Sequence, residues 1–229
     1  MDTSSSRVES GAERTRAEAA EPVSLRAYHA LEKMIVTLEL APGSVATERA
    51  LIEKLSLGRT PVREAIQRLA WEGLISVRPR AGLAIAPLHA ADWLRVLDAR
   101  RGVEVVLARS AARFLTAETA PLFQATALAM HAAVLEKDVL GFLAADKALD
   151  EALARAADND FAARVAAPLQ THSRRFWYRF QSGTGLAESA GNHVALIQAV
   201  LERDEDRAGE EADRLMSLLR LHAQAAAMR

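Results

Sequence analysis

Apolar positions recur at helical spacing over most of this chain and switch to strand-like alternation in one short region. Leu31, Met34, Ile35 and Leu38 form a stripe that predicts a helix over 24–40, closed by Ala41-Pro42-Gly43. A short second helix is expected over 48–55, with Thr47 as its N-cap. After the tight turn Ser56-Leu57-Gly58, the apolar residues Val62, Ile66 and Leu69 share one face of a third helix that closes at Gly73. Thr60 is its expected N-cap and Pro61 its first residue, where a missing N–H does no harm. Arg59, Arg63 and Gln67 line a different face. Residues 75–78 and 83–86 then alternate as two strands around Pro79-Arg80-Ala81-Gly82.

From 90 onward the pattern is helical to the end. Helices are expected over 91–115, 117–135, 139–157, 161–181, 188–203 and 205–227, with Thr116, Asp138 and Asp204 as caps and Gly183-Thr184-Gly185 as a loop. The first 21 residues carry no stripe and read as a mobile tail. The expected organisation is therefore a tail over 1–22, a winged helix-turn-helix over 23–87 and an all-α bundle over 90–229. The fold class is mostly α.

Two helices joined by so short a turn set the second into the major groove of DNA, and a basic hairpin beside them is a wing. The third helix would present the guanidinium forks of Arg59 and Arg63 at its N-terminus, where base edges and phosphates are read. Composition sharpens this. The 229 residues are 50% hydrophobic but only 5% aromatic, which suits packed helices. The net charge of −1 excludes a generic polyanion binder. Residues 44–82, however, hold seven Lys/Arg against four Glu, a local excess of basic charge that a dimer doubles. Cysteine is absent, so disulfide and thiol chemistry are excluded. No apolar run approaches a membrane span, and a cytoplasmic protein without membrane partners is expected.

In the bundle, polar residues interrupt the apolar stripes. Arg100 lies with Val96, Leu97, Val103 and Leu107; Asp146 with Phe142, Leu149 and Leu153, and Asp150 one turn on; His193 with Leu196, Ile197 and Val200. His172 and His222 lie on stripes of their own. Buried charges must be paired, metal-bound or engaged by a ligand, so a polar cavity is predicted. The alternative is a structural ion network, such as Arg100 with Asp146 or Asp150. Arg175 and Arg179 flank the stripe of His172 and Phe176, whereas Arg174 is expected to point almost opposite. Arg100 and Arg175 forking onto a small organic acid, with His193 as hydrogen-bond partner, is the expected effector site.

The run from Leu40-Ala41-Pro42-Gly43 through Gly58-Arg59-Thr60-Pro61-Val62-Arg63-Glu64-Ala65 to Glu72-Gly73-Leu74-Ile75 and Pro79-Arg80-Ala81-Gly82 resembles the DNA-binding domain of GntR-type bacterial transcription regulators. The resemblance implies that Arg49, Arg59, Thr60, Arg63 and Gly82 fall at DNA-contacting positions, and Arg80 joins them from the basic wing. Gly58 departs from the family's usual serine. Arg100-x-x-x-Glu104, Asp146-x-x-Leu149-Asp150 and His193-Val194-Ala195-Leu196-Ile197 resemble the FadR-like (FCD) effector domain. Many members of that subgroup hold a divalent metal with one aspartate and three histidines. Asp146 and His193 match, but Asp150 and Leu215 stand where two histidines are expected. Asp146, Asp150 and His193 are thus the candidate set for a hard or borderline metal, and a tight zinc site is not expected. The implied function is a homodimeric repressor of a palindromic operator, released by a small carboxylate. The rivals are a metal-dependent enzyme built on Asp146, Asp150 and His193, and a structural DNA-binding dimer without effector.

Overall fold

The computed structural model describes residues 21–181 and 185–228. The expected tail, but for its last residues, and Gly183-Thr184 of the expected loop lie outside them. The described chain begins with α1 (Val23–Val36), β1 (Val45–Ala46), α2 (Glu48–Leu55) and α3 (Arg59–Trp71), followed by β2 (Ile75–Arg78) and β3 (Gly82–Ile85). Helix α1 stops short of the expected end, because Leu38 adopts a left-handed φ of 60° and the Leu40 N–H folds back onto the Met34 carbonyl at 2.9 Å. Thr47 caps α2 as expected, its hydroxyl accepting from the Ala50 N–H at 3.1 Å.

Helix α3 begins before its expected cap. Gly58 is the N-cap and its carbonyl accepts from the Val62 N–H, so Thr60 sits inside the first turn without a capping bond. Pro61 moves to the third helical position, where its absent N–H is still one of the four unpaired donors of a helix start. At the other end Gly73 takes a φ of 76° and the Leu74 N–H reaches the Leu69 carbonyl, the left-handed stop that glycine permits.

The three strands pair antiparallel in the order β1-β3-β2, with Ser76 opposite Ala84 in the hairpin and Val45 opposite the same Ala84 on the other side. Leu31, Ile35, Leu51, Val62, Leu69, Leu74 and Ile85 form one core beneath this sheet. Six helices follow: α4 (Ala90–Phe114), α5 (Ala120–Glu136), α6 (Val139–Ala156), α7 (Asp160–Phe180), α8 (Gly185–Leu201) and α9 (Glu205–Ala227). Asp138 and Asp204 cap α6 and α9 as expected. Thr116 instead closes the turn before α5, its hydroxyl accepting from the Thr119 N–H. A second core joins these helices around Trp93, Phe123, Met130, Leu149, Phe176 and Ile197, and Val36 of α1 is buried in it. The two units therefore share packing through α1.

Candidate nucleic-acid interface and buried charge cluster

On the face built by α2, α3 and the hairpin, Arg59, Thr60 and Arg63 are exposed, as are Arg49 and Arg80. The helix packs Val62, Ala65, Ile66 and Leu69 inward, and this leaves its Arg59 and Arg63 edge to solvent. Both arginines reach across to Glu48 of α2, from the Arg59 Nε to Oε1 at 3.2 Å and the Arg63 Nε to Oε2 at 3.4 Å. Glu48 was not singled out in the sequence, yet it sets the direction of both guanidinium groups. Arg49 instead pairs along α2 with Glu53 at 2.8 Å. In the wing, Arg80 takes a φ of 63° and Gly82 a φ of 97°, which together turn the hairpin tightly.

Inside the bundle, Arg100 (α4), Asp146 and Asp150 (α6) and His193 (α8) are buried, together with Glu104, Gln170 and Arg174. The Arg100 Nε donates to Glu104 at 2.6 Å and its Nη2 reaches Asp150 at 3.5 Å. His193 donates from both ring nitrogens, Nε2 to Asp146 at 2.7 Å and Nδ1 to the Ser189 carbonyl at 2.7 Å. A ring that donates twice is an imidazolium. Burial opposes that charge, but the Asp146 carboxylate outweighs it and His193 titrates above its ordinary range. Burial likewise pushes Asp146 up, yet His193, Arg174 and Arg100 overcome it and hold it at about 2. Asp150 goes the other way, to about 7, first by burial and then by the neighbouring Asp146 charge.

Two expectations about helix α7 require correction. Arg174 points into the cluster, bonding to Asp150 and lying 3.6 Å from Asp146. Arg175 does not join Arg100: its Nη2 donates to the Ala86 carbonyl at 2.5 Å, beyond the end of β3, and its Nε has no partner. Burial alone lowers it to about 10. The reason is that α7 is covered on nearly every side here, with Ser173 through Trp177 all buried, so no solvent face exists for Arg174 to take. Filled by Arg174, the expected cavity shrinks to a hollow of about 20 Å³ lined by Arg100, Asp146, Trp177 and His193. That is room for about one water. A far larger groove, about 970 Å³, lies elsewhere, between Arg68 and Trp71 of α3 and Arg164 and His172 of α7.

Helix α7 also ties the two units together, which the sequence did not reveal. His172 Nε2 donates to the Glu72 carbonyl at the end of α3 at 2.8 Å, Arg175 holds Ala86, and Thr171 and Arg174 reach Glu32 of α1.

Residues 23–85 match the bacterial regulatory proteins of the gntR family, and residues 95–218 match the FCD domain. The chain belongs to the GntR family. It is a transcriptional regulator, not an enzyme, with a helix-turn-helix DNA-binding unit and an FCD effector-binding domain. It is 26% identical over 193 residues to the HTH-type transcriptional repressor RspR of Escherichia coli K12, covering 84% of this chain and 85% of that one. It is 34% identical over 130 residues to an HTH-type regulator of the TAR-I region in Agrobacterium vitis, covering 56% and 76%. Among solved structures, E. coli McbR/YncC superposes with a TM-score of 0.73 at 19% identity, covering 86% of this chain and 94% of that one. A GntR-type chain of Rhodococcus sp. RHA1 gives 0.68 at 17% identity, covering 88% and 97%. These two show the shared fold.

The metal that many FCD domains carry does not fit this GntR regulator. Of the histidines expected as ligands only His193 is present, and its Nε2 is engaged by Asp146 at 2.7 Å. A guanidinium already lies against Asp146 and Asp150, and Leu215 is a buried alkyl chain. No group of three or more His, Asp or Glu is placed to share an ion among the described residues. No described helix is long and apolar enough to cross a membrane.

Proposed function

We propose that the chain is a cytoplasmic homodimeric repressor whose two winged helices, each spanning 23–87, read the half-sites of a palindromic operator. The bundle over 90–229 would pair the protomers and take a small carboxylate effector that releases the DNA. The observation that carries the DNA reading is the side-by-side exposure of Arg59 and Arg63 at the start of α3, with Arg80 on the adjacent wing turn. Arg49, Thr60 and Gly82 complete the contacting surface. Phosphate would compete with Glu48 for the same two guanidinium groups, an even exchange of one anion for another. The repressor assignment draws on RspR, which is named a repressor. A buried charge cluster that also grips α1 supports an effector that acts on DNA affinity.

The test is an electrophoretic shift on DNA upstream of the chain's own gene. Arg59→Ala with Arg63→Ala should weaken binding at least about tenfold, since each lost bidentate contact costs roughly 1–3 kcal/mol. Unchanged binding would reject α3 as the reading helix. One observation favours a second reading, a DNA-binding dimer without effector: the charges around Asp146 are paired with one another and leave almost no space.

A further inference from the structure

Glu32 belongs to α1, yet every partner of its carboxylate belongs to the bundle. It is 3% exposed. Its Oε2 accepts from Lys147 Nζ of α6 at 2.6 Å and its Oε1 from the Thr171 hydroxyl of α7 at 2.6 Å, with Arg174 Nη2 at 3.6 Å. Burial pushes this carboxyl up, but Lys147 and Arg174 overcome it and keep it ionised. Thr171 and Arg174 are themselves buried, at 1% and 7% exposed. Arg174 already donates to Asp150 and, at 3.0 Å, to the Thr171 hydroxyl, so if Glu32 withdraws it is the buried Thr171 hydroxyl and Lys147 Nζ that lose their acceptor, and another anion or water has to satisfy them.

The surroundings match a ligand site. A cleft of about 120 Å³, lined by Lys33, Leu143, Lys147 and Arg174, opens onto this seat, and one of about 140 Å³ reaches it beside Tyr28 and Gln170. By contrast, the deeper hollow at Asp146 and His193 is nearly filled. A carboxylate arriving from solvent therefore meets usable donors at Lys147, Thr171 and Arg174 before it meets any in the deeper cluster.

We propose that Lys147, Thr171 and Arg174 form a carboxylate-binding site for small organic acids, and that Glu32 is its resident occupant. An acid from solution exchanges with Glu32, charge for charge, and frees α1 from α6 and α7. This rests on the proposed function only in taking the effector to be a carboxylate.

Glu32→Ala removes the fragment equivalent to acetate, so acetate is the probe. Thermal melts of the full-length variant in sodium acetate and in sodium chloride at equal ionic strength should differ. Acetate should saturably restore most of the lost melting temperature and chloride should not. Adding Lys147→Ala should abolish the rescue. Equal effects of the two salts, or rescue that survives Lys147→Ala, would overturn the site. If Glu32→Ala does not fold, Glu32→Gln keeps the volume; acetate then displaces a neutral amide and must still exceed the chloride control. A wild-type chain whose melt answers to no carboxylate would overturn the exchange with Glu32, and with it the effector reading, even where acetate rescues Glu32→Ala.

Discussion

His193 shows how a single residue can decide between chemistries. Its Nδ1 donates to the Ser189 carbonyl and its Nε2 pairs with Asp146 at 2.7 Å, a carboxylate that favours the charged ring over the lone pair a metal would have to win. Its neighbour Asp150 carries the consequence for pH. Burial and the Asp146 charge place its proton loss at about 7, far above an unfolded aspartate near 4. Between those values the folded chain holds a proton that the unfolded chain has released. Stability from this group is therefore complete below about pH 4 and is lost as pH rises toward about 7. Asp150→Asn keeps the shape and cannot release a proton. Melting temperatures of the two proteins from acid to neutral pH should diverge, the wild type falling and the variant flatter; parallel curves would contradict the assignment. His193, raised chiefly by Asp146 and only last by Asp150, adds a further loss as pH rises past the ordinary imidazole range. The sequence placed Arg100, Asp146, Asp150 and His193 inward correctly, because each sits on the apolar stripe of a helix with one covered face. It misdirected Arg174 and Arg175 because α7 is covered on several faces, and a stripe then no longer tells inside from outside.

Among the elements, the wing shows what local pattern reveals and what it leaves out. Alternation around Pro79-Arg80-Ala81-Gly82 was enough for the hairpin of β2 and β3. The third strand, β1, is two residues long and paired to β3 from a distant part of the chain, so it left no periodic trace. The start of α3 was misplaced for a related reason: Thr-Pro is a strong cap signal, but Gly58 already sits in the extended conformation a cap requires. Gly82 is where the wing is most sensitive. At φ 97° a Cβ there would lie 2.7 Å from the Ala46 carbonyl oxygen, which is backbone of β1 and cannot swing aside. Gly82→Ala should therefore cost on the order of 1–3 kcal/mol through strain and lost β1–β3 pairing. Urea unfolding measures this; an unchanged midpoint would show that β1 is not needed to hold the wing.

At the scale of the whole molecule, the bundle reaches the winged unit chiefly through one helix. Helix α7 touches the DNA-reading unit at Glu32 in α1, at the Glu72 carbonyl closing α3 and at Ala86 leaving β3. Each contact is polar and specific, and none was legible in the sequence, because pairing between residues some 90 to 140 positions apart leaves no local signature. A ligand that moves α7 thus acts on α1, on the C-terminal end of α3 and on the segment leaving the wing. For such a switch the ligand must favour one arrangement over the other, and linkage then makes DNA and ligand weaken each other by the same factor. The most direct measurement is operator affinity of the wild-type protein titrated with small carboxylates. The account predicts that an acid which raises the melting temperature of the free protein also weakens operator binding at least about tenfold, or ~1.4 kcal/mol of coupling. An acid that binds the free protein and leaves operator affinity unchanged would contradict it.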